Sequence, residues 1–190
     1  MSAARTGKWV IVDRDGVINR DSDDYIRSVS QWRPIDGSIE ALAALSRAGI
    51  VVTVATNQSG IGRGFFSRDT VYRMHRKLRR LVAQQGGRVN EIAFCPHTPD
   101  DDCVCRKPRT GLLRRLSRRV ERPLSEAVLI GDSARDLQAG ADAGCELWLV
   151  ATGNGVHTAQ ELGHKPTAWW PRVNHATDLA DAAKQLLGGY

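Results

Sequence analysis

The chain lacks any long apolar run: nothing in its 190 residues approaches the roughly 20 consecutive apolar residues that a membrane-spanning helix needs. No membrane partner is therefore expected. Near the start, Trp9-Val10-Ile11-Val12 is apolar for only four residues before it meets Asp13. That is too short for the apolar region of a signal peptide and reads as a first strand, so a cytoplasmic protein is expected. Aromatic residues make up only 6% of the chain and are not interleaved with basic residues, which removes the stacking platform of a single-strand binder. There is no Gly-rich loop followed by Lys-Ser/Thr of the kind that cradles nucleotide phosphates, no internal repeat and no low-complexity segment. Cysteines number four, and three of them crowd together at Cys95, Cys103 and Cys105. In a cytosolic chain that spacing argues for a metal rather than for disulfides.

What is present is the composition of an ordinary globular protein, 42% hydrophobic and 25% charged, long enough for one domain over residues 1–190. The net charge is +6. Much of it lies in residues 73–80 and 114–122, where apolar residues recur at helical spacing, so these stretches read as solvated helix faces rather than as a nucleic-acid surface. The balance fits an anionic small molecule as partner. Nothing marks a dimer surface, although Trp169-Trp170 reads as an exposed apolar patch; a monomer is expected.

Short apolar runs alternate with helical stretches. Strands are expected at 8–12, 50–55, 91–94, 127–130 and 145–150, and helices at 37–48, 67–85, 110–119, 133–143 and 178–187. Residues 152–174, rich in Gly, His and Pro, read as irregular. Such alternation predicts an α/β fold: a three-layer, Rossmann-like parallel sheet with helices on both faces. In such sheets functional groups gather beyond the carboxyl ends of the strands. Three expected strands end in polar groups, which brings Asp13, Asp15, Thr56, Asp132 and Asp136 to one rim. Crowded carboxylates need a cation or a shared proton, and hard oxygen ligands with room for water suit Mg²⁺.

A second cluster, Cys95-Pro-His97-Thr-Pro-Asp-Asp-Asp-Cys103-Val-Cys105, offers four soft or borderline ligands in a Cys-x-His-x5-Cys-x-Cys pattern. A complete tetrahedral set leaves no open position, so it predicts a structural Zn²⁺. The loop runs straight into Arg106-Lys107-Pro108 and would fix where those cations point. Cys145, in an expected strand, reads as a core residue.

The ordered motifs Asp13-Arg14-Asp15-Gly16, Thr56-Asn57-Gln58, Lys107-Pro108 and Gly131-Asp132-Ser133-Ala134-Arg135-Asp136 resemble those of the haloacid dehalogenase superfamily over residues 10–150. The resemblance implies a phosphatase. Asp13 would be the nucleophile, and Asp15 the acid and base. Mg²⁺ would be held by Asp13, Asp132 and the Asp15 main-chain carbonyl. Thr56 and Asn57 would bond the transferring phosphoryl group, Lys107 would neutralise charge, and Asp136 would orient rather than ligate. Little room remains between Asp15 and Thr56 for a large cap domain. The zinc loop and Ser59-Gly60-Ile61-Gly62-Arg63 are similar to those of the heptose-bisphosphate phosphatase branch. That similarity implies a sugar-phosphate substrate met by Asp21, Thr56, Asn57, Gln58, Ser59, Arg63, Arg106 and Lys107. Arg63 and Arg106 could serve a second phosphate. Ser133 stands where some members carry lysine. Histidinol-phosphate phosphatases share the fold and loop, nucleic-acid 3′-phosphatases share the Thr-Asn-Gln string, and a zinc-stabilised domain without catalysis is a further alternative.

Overall fold

The computed structural model describes residues 8–188. Its centre is β1 (Trp9–Val12), a four-residue strand buried along its whole length. Successive side chains of a strand point to opposite faces. Val10 and Val12 accordingly enter one core with residues of three helices, while Trp9 and Ile11 enter another on the far side. Fully burying each such side chain stabilises the fold by about 1.5–3 kcal/mol. A strand buried on both faces must lie inside a parallel sheet, and β1 does. It pairs in parallel with β2 (Val51–Asn57) on one side and β4 (Ala127–Gly131) on the other. The full order is β3-β2-β1-β4-β5-β6, with β3 at Glu91–Cys95, β5 at Glu146–Val150 and β6 at Val173–Ala176.

Helices α1 (Ser38–Arg47), α2 (Arg68–Gln84) and α6 (Leu179–Gly188) share the core of Val10 and Val12. Helix α3 (Gly111–Val120) packs on Trp9 and Ile11 through Leu112, Leu113 and Leu116. Helix α4 (Ala134–Ala143) sends Ala139 into that cluster and Leu137 into a third, with Leu147, Leu149 and Leu162. The three layers expected of the sequence are thus present. Ser67 caps α2 as expected, accepting the Thr70 N–H at 3.2 Å. Residues 13–37, between β1 and α1, hold turns and isolated bridges and no helix.

Residues 152–174 differ from the irregular stretch expected. They contain α5 (Gly155–His164), and β6 begins within them. The helix buries only Gly155, Thr158 and Leu162, too few apolar residues to show a period. Gly155 is there for close approach, since a Cβ on it would meet the Val150 carbonyl oxygen. Strand β6 is an edge strand of sequence Val-Asn-His-Ala with two exposed residues, so it carries no apolar run. Trp169 and Trp170 form no exposed patch. Trp169 is buried in the third cluster and donates to Gln138 at 2.9 Å, and half-buried Trp170 packs edge-on against His175. Cys145 lies just before β5, half-buried between the second and third clusters.

Candidate active site and metal loop

Strands β1, β2 and β4 are neighbours, and their carboxyl ends deliver Asp13, Thr56 and Asp132 to one rim. The Asp13 N–H continues the ladder by donating to the Ile130 carbonyl at 2.9 Å. Gly16 turns the chain with φ +80, and a Cβ there would overlap Asp132 Oδ2; Gly153 closes on the same oxygen from the other side. The Asn154 N–H donates to Asp132 Oδ2 at 2.8 Å, which fixes that carboxylate.

Asp132 does not cap α4. Ser133 does, in a reciprocal capping box with Asp136. The Ser133 hydroxyl donates to Asp136 Oδ2 at 2.6 Å, leaving Oδ1 to turn inward. There it meets Lys107. The Lys107 Nζ lies 2.6 Å from Asp136 Oδ1, 2.8 Å from Asp13 Oδ1 and 2.7 Å from the Ala55 carbonyl oxygen. An ammonium has three donors, and all three are engaged. Burial opposes the charge on Lys107, but Asp13 and Asp136 outweigh it and hold its pKa above the ordinary lysine range.

Oxygens of Asp13, Asp132 and Asp136 lie within 4.8 Å of one another. Burial, then Asp136, pushes the Asp13 carboxyl up to about 7. Burial, then Asp136 and Asp13, pushes Asp132 up to about 8. Carboxylates this crowded hold protons near neutrality unless a cation joins them, which is the donor set a hard divalent ion takes. Asp13 Oδ1 accepts from Lys107 and from the Arg14 N–H at 2.7 Å, while Oδ2 has no protein donor among the described residues.

Asp15 is held differently. Arg14, buried to 1% exposure, donates to Asp15 Oδ1 through Nε at 3.0 Å and to both Asp15 oxygens through Nη2 at 2.9 Å. Asn19 adds a bond to Oδ1 at 2.9 Å and Gln58 one to Oδ2 at 2.7 Å. Gln58 also donates to the Thr56 hydroxyl at 2.9 Å. The Asn57 side chain and the Lys107 main chain exchange two bonds of 3.1 Å. The Gln58 and Asn57 side-chain amides thus orient Asp15, Thr56 and Lys107, a use that the sequence reading, which aimed them at substrate, did not contain.

The expected residues Asp13, Asp15, Asp21, Thr56, Asn57, Gln58, Ser59, Arg63, Arg106, Lys107, Asp132 and Asp136 all line one cavity of about 340 Å³. Burial raises the Asp21 carboxyl pKa, with Asp15 and Asp23 adding to it against the Ser22 N–H. The cavity also contains Arg14, Asn154 and Arg135, which the sequence reading passed over.

Cys95, His97, Cys103 and Cys105 converge. Five of the six edges between their ligand atoms measure 3.2–3.6 Å, and all six lie within 4.8 Å. Four ligands at Zn–S and Zn–N bond lengths have edges of about 3.3–3.8 Å, so the cage fits a tetrahedral ion. Burial, with the Cys105 thiol next, raises the Cys95 pKa. Burial also opposes ionisation of Cys103, but hydrogen bonds from the Arg106 main-chain N–H, the Cys105 and Cys95 thiols and the Cys105 N–H together outweigh it and bring that thiol to about 7. The Arg106 guanidinium donates back to the His97 carbonyl at 3.3 Å. The cage and the cation beside the cavity are therefore one piece of structure.

A family model described as HAD-hydrolase-like matches residues 104–182. The D-glycero-β-D-manno-heptose-1,7-bisphosphate 7-phosphatase of Bordetella bronchiseptica is 48% identical over 180 residues, 95% of this chain and 98% of the relative. That of Pseudomonas aeruginosa is 53% identical over 178 residues, 94% of this chain and 97% of the relative. The chain belongs to the D-glycero-β-D-manno-heptose-1,7-bisphosphate 7-phosphatase family. Among solved members of this family, the Bordetella bronchiseptica enzyme, crystallised with magnesium and phosphate, superposes with a TM-score of 0.90 at 45% identity, covering 96% of this chain and 99% of that one. The enzyme from Burkholderia thailandensis gives 0.71 at 37% identity, with 95% and 98% covered. In this family member no helix is long and apolar enough to cross a membrane, among the described residues.

Proposed function

We propose that this chain removes the 7-phosphate of D-glycero-β-D-manno-heptose 1,7-bisphosphate through a phosphoryl-aspartate formed on Asp13, in the ADP-heptose route to lipopolysaccharide core. One observation carries the reading: Asp13, Asp132 and Lys107 meet on a single cavity in a chain of this family.

Asp13 Oδ2, free of protein donors among the described residues, is the attacking oxygen. A bond forms from it to phosphorus as the bond to the sugar oxygen breaks, and Asp15 gives that oxygen a proton. Asp15 then takes a proton from the water that attacks phosphorus, and the bond to Asp13 breaks to release phosphate. Thr56 offers its hydroxyl to the phosphoryl oxygens, with Gln58 fixing its direction. Lys107 lowers the negative potential at Asp13 through its 2.8 Å ion pair. Asp136 orients Lys107 and completes the cluster behind it. Mg²⁺, held by Asp13, Asp132 and the Asp15 main-chain carbonyl, would supply the positive charge that lets an anionic nucleophile approach an anionic phosphate. Asp21, Ser59, Arg63 and Arg106 line the same cavity and would meet the sugar and its second phosphate. Zn²⁺ in the Cys95-His97-Cys103-Cys105 cage would act structurally, setting the positions of Arg106 and Lys107. The chain is read as acting alone, as a cytoplasmic monomer.

A substrate panel with Mg²⁺ tests this: the heptose bisphosphate, histidinol phosphate and a 3′-phosphorylated oligonucleotide. The heptose bisphosphate should give the highest kcat/KM. Faster turnover of either other substrate rejects the assignment.

A further inference from the structure

A sugar bisphosphate has two dianionic ends, and the groups around Asp13 account for one. Of the cations that line the cavity, Lys107 is taken by Asp13, Asp136 and Ala55, and Arg14 by Asp15. That leaves Arg63, Arg106 and Arg135, none of which pairs with a carboxylate among the described residues.

Arg106 and Arg135 come from different elements, the segment after the metal loop and the first turn of α4, yet both line the cavity of Asp13. Arg135 is ill-placed for stability. It stands in the first turn of a helix, where the macrodipole already presents positive charge and an acid is preferred. It is exposed, and its side chain has no hydrogen-bond partner among the described residues. Two guanidiniums without a carboxylate partner on the wall of one cavity, one of them at a helix N-terminus, form an arrangement that a bound dianion relieves.

We propose that Arg135 joins Arg106 in clamping the second, non-transferred phosphate of a sugar bisphosphate, and that Arg135 thereby sets the preference for bisphosphate over monophosphate. This rests on the heptose-bisphosphate reading and goes beyond it by assigning Arg135. Arg106 is held by His97 and gives a fixed half of the clamp; Arg135, on its flexible stem, closes the other half. Guanidinium matches phosphate bidentately, so lysine would not fully replace it.

The test compares kcat/KM for the heptose 1,7-bisphosphate and for the heptose 7-phosphate, in wild type, Arg135→Gln and Arg135→Lys, with metal-replete protein of unchanged circular dichroism. Losing a charged hydrogen-bonding partner typically reduces binding by about tenfold to a hundredfold. The bisphosphate-to-monophosphate ratio should fall by that factor in Arg135→Gln, mostly through KM, and by less in Arg135→Lys. An unchanged ratio, whether activity on both substrates falls equally or not at all, overturns the clamp alone. A wild type that turns over neither sugar phosphate rejects the functional reading and the clamp with it.

Discussion

Arg14 and Asp15, adjacent in the chain, are locked to each other, with the guanidinium donating to both carboxylate oxygens at 2.9 Å. The other side of the guanidinium is also occupied. One Nη1 lies 3.5 Å from His75 Nε2 and 3.8 Å from Met74 Sδ, both on α2. These donors fix the direction in which Asp15 presents its carboxyl to the cavity. Arg14→Gln is therefore expected to lower kcat for the sugar phosphate about tenfold to a hundredfold. It should matter much less for kcat/KM with an aryl phosphate, whose leaving group departs unprotonated. Equal losses on both substrates would show that Arg14 is only structural.

Asp13→Asn should keep the fold and lower turnover by about 10⁴-fold or more, the scale for loss of a nucleophile. Circular dichroism with a sensitive phosphate-release assay decides it. Turnover within tenfold of wild type removes Asp13 from the nucleophilic role.

Lys107→Met leaves Asp13 and Asp136 facing each other without their shared cation. Breaking a buried pair by removing one partner costs about 3–5 kcal/mol. The denaturation midpoint should fall accordingly in metal-free protein. A variant as stable as wild type would show that the two carboxylates simply protonate.

On the proposed structural role of Zn²⁺ in the Cys95-His97-Cys103-Cys105 cage, removing it by chelation, or by Cys103→Ser, should lower both thermal stability and activity, since Arg106 and Lys107 follow the cage directly and Arg106 is bonded to His97. Zinc content, Tm and kcat/KM measured on one preparation check this. Full activity in verified zinc-free protein would sink the positioning role.

His75 is buried, and burial, followed by the Arg14 and Arg79 charges, lowers its pKa from 6.5 to about 3. The unfolded chain thus binds a proton that the folded chain refuses between those values. Stability from this group is full above about pH 6.5 and is lost as pH falls through that window, by up to about 1.4 kcal/mol per pH unit. Replacing His75 with Gln should flatten that part of the stability–pH curve. An unaltered slope assigns the acid sensitivity elsewhere.

The central strands were legible because β1, β2 and β4 are buried on both faces and must be near-continuous apolar runs. The acids at their ends stood out against those runs. Helix α5 and strand β6 were not legible, since each buries very few side chains and uses Gly and His where a pattern would need Leu or Val. Arg14 was missed for another reason. An arginine between two aspartates reads as a solvated residue, and only the third dimension shows α2 covering it. Asn57 and Gln58 were found by motif, but their bonds to Lys107 and Asp15 join residues distant in sequence.

The order of the strands ties chemistry to cooperativity. Asp13, Thr56 and Asp132 hang from β1, β2 and β4, strands inside the sheet, rather than from an appended unit. A half-formed sheet cannot assemble this rim. Lys107 alone arrives from the loop after the edge strand β3, so that loop is the one local opening that would silence the rim and spare the sheet. With the metal loop intact, loss of activity in denaturant should trace the same sigmoid as global unfolding, so that turnover itself becomes a reporter of the folded population.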